Sequence, residues 1–565
     1  MGGLGGAGGA AAAGGPAADE AAGNHQAAVE AVYAIGLSCV ENARCQRAAF
    51  EGGVLSHLFA MLQPEVDDTA ACAASNTLSD LTSTEVAGMA DAVRAAGALP
   101  LLVARLNVDP PRASSCETAA AAVAALLNLC HDNVANQLAV RAAGAMAMFV
   151  RLLRVAAASP PLTDPQHQSP MAYPAYVGLL DAAAAIGNLC GTVSASMQEE
   201  ARRAGAIDVL LGLLRQIDCA PPGEGLAQHA SSIAFGLGNV CREHEANQRH
   251  AREKGAIRLL TRRLDQVTEH DTRAAADAVI ALGKLCGGNA DNQRAARKSR
   301  AIEKMARLLQ PEQPAALRPD AAFALLMVCA RNQSNQDLAG ECGAVGQLIT
   351  LLEQGAEPGS DVDIALDVLC DGHPANQARA AAAVPLLIDR LARSTDADDS
   401  TAVGHIAERL QIIAIGHPPN QRLAHDGGGI PALVGVIGRA DPTGLVTAAA
   451  SSALYALCAD APANRAAARA AGAFDVLLSL LETALAAGHF ANTADVSDAM
   501  GVLNLDDPPS QARLLQCGLL HRVVHSLQWS VAAAYGATCG GGGTTLAMHN
   551  GTHSAAADSG SSGHG

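Results

Sequence analysis

The sequence repeats one phrase at a spacing of about 45 residues. The phrase consists of Asn-Gln, six residues typical of helices, Gly-Ala-Ile or a variant, and then a leucine-rich segment, as in NQRHAREKGAIRLLTRRL from Asn247. Such a period is typical of solenoids built from units of two or three helices, so a stack of about eleven units is predicted. The glycine position of the phrase is occupied by Gly53, Gly97, Gly144, Gly205, Gly255, Arg300, Gly343, Ala382, Gly428, Gly472 and Gly518.

Each unit is expected to form three helices. An Asn side chain at the start of the first helix can accept a hydrogen bond from a free backbone N–H, and the glycine that follows can end this helix in a left-handed conformation. The second helix carries apolar residues at helical spacing, such as Ile207, Leu210 and Leu214. A longer third helix follows, such as the segment from Glu117 to Cys130. The residues predicted as N-caps are Asn136, Asn247, Asn292, Asn335, Asn376, Asn420 and Asn464.

The composition agrees with an all-helical chain. Hydrophobic residues make up 50% of the sequence, which is too many for a disordered protein, but aromatic residues make up only 2%. A core of alanine, leucine and valine suits closely packed helices, because alanine favours the helix and adds little bulk between helix axes. The all-α class is therefore predicted.

The short first helix, the glycine turn and the two longer helices resemble the repeats of the armadillo family. This resemblance implies a right-handed superhelical solenoid of about eleven armadillo-type three-helix repeats. Arg300 and Ala382 depart from the pattern, since they stand where the turn expects glycine.

The repeats divide the chain into three parts. The solenoid is predicted for residues 25–535, with a proline-rich insertion at about 156–176. The Gly/Ala-rich segment 1–24 and the Gly/Ser/His-rich tail 536–565 are predicted to be disordered, because they have few large apolar side chains.

Charge and cysteine usage restrict the function. A formal net charge of −17 disfavours binding to nucleic acid, which requires neutralisation of phosphates. The 15 cysteines are spread along the chain as in proteins of a reducing compartment. The start of the chain has no secretory signal pattern, and the longest apolar run, Ala119 to Cys130, is too short to span a bilayer. We expect a cytoplasmic protein, with entry to the nucleus left open, and no integral membrane segment.

No sequence motif of an enzyme occurs. Phosphate-binding, hydrolase, metalloprotease and kinase patterns are missing from the sequence. The recurring cysteines at the ends of third helices are interpreted as small buried residues. We therefore predict no catalytic residue, no metal, no cofactor and no small-molecule substrate.

The armadillo resemblance implies a concave groove, lined by third helices, in which Asn side chains hold the backbone of an extended partner segment. The matching positions here carry Asn128, Asn188 and Asn239, and then Lys284. One helical turn earlier, Phe235 and Phe323 are expected to form apolar pockets. Importin alpha proteins carry tryptophans there, so a nuclear-import adaptor is disfavoured.

An acidic stripe is predicted beside these positions. Seven residues before the Asn position come Asp181, Asp277, Asp320 and Asp361, which would follow one another along the solenoid and attract basic partner segments. The alternative is that these carboxylates only stabilise the N-terminal ends of third helices through the helix dipole.

The leading hypothesis is a non-enzymatic scaffold or adaptor that binds other proteins, through extended segments including basic ones, in a concave third-helix groove. Two alternatives remain. One is a regulator of small GTPases, which an acidic groove would also suit. The other is an adaptor that tethers membranes or the cytoskeleton, as vacuolar and axonemal armadillo proteins do.

Overall fold

The computed structural model describes residues 16–83, 88–109, 112–158, 178, 180–192, 195–219, 224–265, 267, 272–487, 492–505 and 507–516. Within these ranges all regular structure is helical, which confirms the all-α class. The helices recur in the predicted order of first, second and third, and each third helix packs against the third helix of the next unit. The result is an α-solenoid.

The helix bounds show the repetition directly. The first helices are Ala43–Glu51, Met89–Ala95, Val134–Ala142, Ala195–Ala204, Glu245–Glu253, Ala290–Lys298, Gln333–Glu341, Pro374–Arg379, Pro418–Asp426, Pro462–Ala470 and Pro508–Gln516. The second helices are Val54–Met61, Ala98–Arg105, Ala145–Ala158, Ala206–Cys219, Ala256–Arg263, Ala301–Leu308, Ala344–Glu353, Ala383–Asp396, Gly429–Ile437 and Ala473–Ala487. The third helices are Asp68–Leu81, Ala113–Cys130, Ala182–Thr192, Glu224–Cys241, Thr272–Cys286, Leu317–Cys329, Asp361–Cys370, Ser400–Ala414, Leu445–Cys458 and Thr493–Asn504.

The amino-terminal part corrects one prediction. A helix runs over Pro16–Cys39 and packs against Asp68–Leu81 as a preceding third helix would. Disorder was predicted for residues 1–24, and this is wrong for residues 16–24. Residues 1–15, the tail 536–565 and most of the proline-rich insertion, 159–176, lie outside the described ranges.

The turn between first and second helices has the predicted conformation. Gly255 has a φ of 83° and directly precedes Ala256–Arg263. Arg300 takes the same left-handed conformation, with a φ of 62°, although its Cβ makes this unfavourable. Ala382 does not, since its φ is −64° and a 3-10 turn at Ala380–Ala382 leads straight into the second helix.

The recurring Asn residues are not the N-caps. In the unit of Arg300, the cap is Asn289, whose Oδ1 accepts from the N–H of Asn292 at 3.1 Å. Asn292 lies inside the first helix and is fully buried. Other side-chain caps in this position include Asn42, Asn133, His244, Asn332, His373 and His417. The prediction is thus displaced by three residues at Asn136, Asn247, Asn292, Asn335, Asn376, Asn420 and Asn464.

The Asn-Gln pair joins consecutive units. The Nδ2 of Asn292 donates to Leu285 O at 2.7 Å and to Gln248 O, in the preceding unit, at 3.1 Å. The Nε2 of Gln293 donates at 3.1 Å to the carbonyls of Met327 and Ala330 in the following unit. Buried backbone carbonyls need such partners, so the pair satisfies helix ends that the stacking of units removes from water. The same Asn contacts recur at Asn247, Asn335, Asn376, Asn420 and Asn464.

The cysteines that end third helices are buried free thiols. Burial raises the pKa of Cys286 to about 12, so this thiol is protonated and behaves as a small apolar group. The part of the chain that the structure describes has no group of three or more His, Cys, Asp or Glu side chains suited to a metal ion.

One described helix, Ala113–Cys130, has the length and apolar composition of a membrane span. It packs between Asp68–Leu81 and Ala182–Thr192, and 61% of its apolar window is buried inside the protein. Its apolar side chains are thus used in the core of the solenoid.

Candidate partner-binding groove

The residues predicted for the groove lie on or beside successive third helices. Because neighbouring third helices pack side by side, equivalent positions form rows along the solenoid. The predicted residues, in chain order, are Asn128, Asp181, Asn188, Phe235, Asn239, Asp277, Lys284, Asp320, Phe323 and Asp361.

The Asn side chains of this row bind neighbouring helices. Asn239 is only 4% exposed, and its Nδ2 donates to Gly187 O, one unit earlier, at 3.1 Å. Its Oδ1 accepts from the Nζ of Lys284, one unit later, at 2.6 Å. The prediction that Asn239 captures a partner backbone is therefore wrong, because both ends of its amide are already used. Asn128 likewise donates to Ser79 O at 3.0 Å.

Asn188 is half-buried on Ala182–Thr192, one unit before Asn239. Its position in the row agrees with the register predicted from the sequence.

The Phe rings fill the space between third helices. A Cβ on Gly187 would lie 2.6 Å from two ring carbons of Phe235, and a Cβ on Gly283 would lie 2.9 Å from the ring of Phe323. The Nζ of Lys284 lies 5.7 Å from the centre of the Phe235 ring, which is a cation–π distance. Burial and nearby Arg242 lower the pKa of Lys284. Each Phe ring thus fills the space in which an apolar pocket for a partner was predicted.

Three of the four aspartates lie at equivalent positions of consecutive third helices. Burial, together with the charges of Asp277 and Asp361 on the neighbouring third helices, raises the pKa of Asp320 to about 6. Burial also raises the pKa of Asp277 and of Asp361. These three residues, Asp277, Asp320 and Asp361, are called the acidic stripe below.

The acidic stripe has few counter-charges. The Oγ of Ser231 donates to Asp277, and Arg273 Nε approaches Asp277 to 4.0 Å. Asp320 and Asp361 form no ion pair within the described ranges. Both also lie in the first turn of a third helix, where the helix dipole favours an anion. The dipole stabilises the charge but does not neutralise it, so the stripe presents a negative potential.

Asp181 is separate from the stripe. It directly precedes Ala182–Thr192, and burial alone raises its pKa to about 6. The equivalent position of the next unit is occupied by Ser232, which interrupts the row of carboxylates.

Beyond Asp361 the row continues into residues that the sequence reasoning missed. The third helix Ser400–Ala414 places His405 at the position equivalent to Asp361, and Glu408 one turn later. His405 Nδ1 lies 3.6 Å from a carboxylate oxygen of Glu408. Extending the register by one unit, with Ala414 in place of the terminal cysteine, would have found both.

A buried charge cluster joins this helix to its predecessor. The side chain of Arg409 is 2% exposed and its Nε donates to Asp367 Oδ1 at 2.7 Å. Its Nη1 pairs with Asp363, whose side chain is 1% exposed. The cluster lies between two third helices, where other units use apolar contacts, and Arg409 and Asp363 are inaccessible to a partner.

No model of a known protein family and no curated protein matches the chain. Among solved structures, a similar fold occurs in an engineered protein from the Northeast Structural Genomics Consortium, with a TM-score of 0.62 and 20% sequence identity. The similarity covers 80% of this chain and 98% of that chain. At this identity the likeness concerns the fold alone.

Proposed function

We propose that this protein is a non-enzymatic armadillo-type scaffold that binds basic, extended segments of other proteins along its third helices. The units would be armadillo repeats, about eleven in number, wound into a right-handed superhelix. The order of three helices, with a left-handed residue between the first and the second, supports this assignment.

The observation that carries the proposal is the acidic stripe. Asp277, Asp320 and Asp361 lie on three consecutive third helices, and their charges act on one another. Holding like charges together costs free energy, and a cationic ligand would recover it. Lysine and arginine side chains of an extended segment could meet successive carboxylates, since such a chain advances about 3.3 Å per residue.

The Asn side chains of the third helices have a different role from the capture of a partner backbone that the sequence predicted. Asn128 and Asn239 hold neighbouring third helices together, so the binding energy would come from the stripe rather than from capture of a partner backbone. Recognition by charge predicts affinity that falls with salt.

The test is a capture experiment followed by a direct measurement. Proteins retained by the full chain from a cell lysate would be identified by mass spectrometry, and each would then be purified and titrated by calorimetry. The variant Asp277→Asn, Asp320→Asn, Asp361→Asn should reduce affinity at least tenfold, and native binding should weaken as salt is raised.

A matched control changes the same number of charges elsewhere. It replaces three exposed carboxylates of first helices with amides, namely Glu253, Glu341 and Asp426. The control should bind as the native chain does. If the control and the stripe variant lose affinity equally, the effect reflects net charge and the groove proposal fails.

A further inference from the structure

A cavity of about 490 Å³ opens where the unit of Ala382 meets the unit of Gly428. One wall is the start of the third helix Ser400–Ala414 together with the end of Ala383–Asp396. The other wall is the end of Gly429–Ile437 and the start of Leu445–Cys458. Its volume lies in the range of about 300 to 1,000 Å³ that is usual for sites of small, largely apolar ligands.

The lining of the cavity includes a group of aliphatic side chains among polar ones. The aliphatic residues are Val403, Val436, Leu445 and Val446. Leu445 is 86% exposed, a larger fraction than for any other exposed large apolar side chain in the described part of the chain. At Gly404, in the middle of one wall, an added Cβ would meet only Val446 Cγ2, at 4.0 Å, so the space in front of it is open.

The rim of the cavity is anionic. Asp398, Asp399, Glu408 and Asp441 surround it, and Arg439 is the one Lys or Arg side chain among the lining residues, which leaves a net charge of 1 − 4 = −3. Arg439 Nε donates to the carbonyl of Gly435 on its own helix. None of the four carboxylates has an ion pair with Lys or Arg in the described part of the chain.

The cavity continues the acidic stripe. His405 and Glu408 line it, and His405 occupies the row that carries Asp320 and Asp361 in the two preceding units. His405 also packs against the preceding unit, because a Cβ on Gly359 would lie 2.8 Å from its Nε2. A segment that follows the stripe from Asp277 towards the carboxyl end of the solenoid therefore arrives at the cavity.

We propose that this cavity receives one aromatic or large aliphatic side chain of a basic partner segment. The lysine and arginine side chains that flank this residue lie against the carboxylates of the rim and of the acidic stripe. The apolar residue determines which basic segments are bound, while the charges attract all of them. This proposal rests on the proposed function, since it needs a basic segment in the groove.

The test uses a fluorescein-labelled synthetic peptide with three lysines on each side of a single tryptophan. Two companion peptides replace the tryptophan with alanine or all lysines with glutamate. Fluorescence anisotropy with the full chain should show at least tenfold tighter binding of the tryptophan peptide than of the alanine peptide. The glutamate peptide should not bind.

The protein variant Gly404→Leu fills the cavity from its wall. Gly404 lies in a helix, where leucine is preferred to glycine, so the fold should be retained. The matched control is Gly346→Leu, which adds the same side chain to the helix Ala344–Glu353 at a position with open space around it. Gly404→Leu should remove the tenfold preference for tryptophan and leave binding of the alanine peptide unchanged. Gly346→Leu should change neither.

The outcomes separate this proposal from the proposed function. If Gly404→Leu retains the preference for tryptophan while the stripe variant loses all binding, the groove remains and the cavity proposal is overturned. If Gly404→Leu removes the preference while the stripe variant binds normally, the cavity is confirmed and the stripe is not the binding surface.

Another possible occupant is a second copy of the chain, and analytical ultracentrifugation tests it. Self-association of the native chain that Gly404→Leu abolishes, with no binding of the tryptophan peptide, would assign the cavity to a dimer contact. That result would overturn the proposal.

Discussion

Replacing Asn292 with alanine should open the solenoid locally. The substitution removes two buried hydrogen bonds, to Leu285 O at 2.7 Å and to Gln248 O at 3.1 Å. Each contributes about 1 kcal/mol, and the Leu285 carbonyl, in the last turn of its helix, would be left buried without a donor at a further cost of about 1 to 3 kcal/mol. The buried Oδ1 of Asn292 has no hydrogen-bond partner, so its removal recovers part of the lost free energy of unfolding. We expect a loss of about 2 to 4 kcal/mol.

Hydrogen exchange read by mass spectrometry is the suitable assay, because a repeat array opens unit by unit and exchange shows which unit has opened. Exchange in Thr272–Cys286 and Ala290–Lys298 should accelerate by about 30- to 700-fold, at tenfold per 1.4 kcal/mol. The control is Asn289→Ala, which removes the N-cap of the same helix and a partly buried hydrogen bond from Asn289 Nδ2 to Gln248 Oε1 at 3.1 Å, and should cost about 1 to 2 kcal/mol. If Asn289→Ala accelerates exchange more than Asn292→Ala does, the buried Asn is not the contact that joins the units, and the reasoning fails.

Three further experiments test the turn, the stripe and the buried charges. Gly255→Val should lower the free energy of unfolding by about 1 to 2 kcal/mol, because valine resists the left-handed φ. Arg300→Gly should not lower it. Equal melting curves for the two variants would refute the left-handed conformation of this turn. The folded pKa of Asp320, about 6, exceeds its unfolded value, so its contribution to stability is present at low pH and is lost as pH rises from about 4 through 6. Asp320→Asn should therefore reduce the change of the urea midpoint with pH over that range. An unchanged dependence of the midpoint on pH would contradict the raised pKa. Arg409→Met should lower the free energy of unfolding, measured by chemical denaturation, by about 3 to 5 kcal/mol. A triple variant that also replaces both partner aspartates with leucine should recover most of this loss. If the triple variant is as unstable as the single one, the buried pairing is refuted.

The sequence predicted the helices and turns well because these depend on local patterns. Glycine at positive φ and apolar residues at helical spacing are determined within one unit, and Gly255 lies where the period requires it. The N-caps were displaced because Asn289 and Asn292 are both Asn and both lie near the helix start. A side-chain cap is a local property, whereas burial of Asn292 arises from the neighbouring unit. A single sequence window does not contain that neighbour.

The same distinction applies to the groove. Counting residues back from the end of each third helix places Asp277, Asp320 and Asp361 at equivalent positions, since a fixed register repeats a fixed face. It could not show that Asn239 is held between Gly187 and Lys284, because both contacts are about one repeat away along the chain. Nor could it show that Phe235 covers Gly187, where the missing side chain makes room for the ring.

The cavity arises where the repeat departs from its pattern. Ala382 does not take the left-handed conformation, and the second helix that follows it, Ala383–Asp396, has 14 residues against 9 in Gly429–Ile437 of the next unit. At 1.5 Å per residue, the five extra residues extend the helix by about 7.5 Å, and its end forms a wall with no counterpart in the next unit. The binding site that we propose therefore lies where a long second helix is followed by a short one.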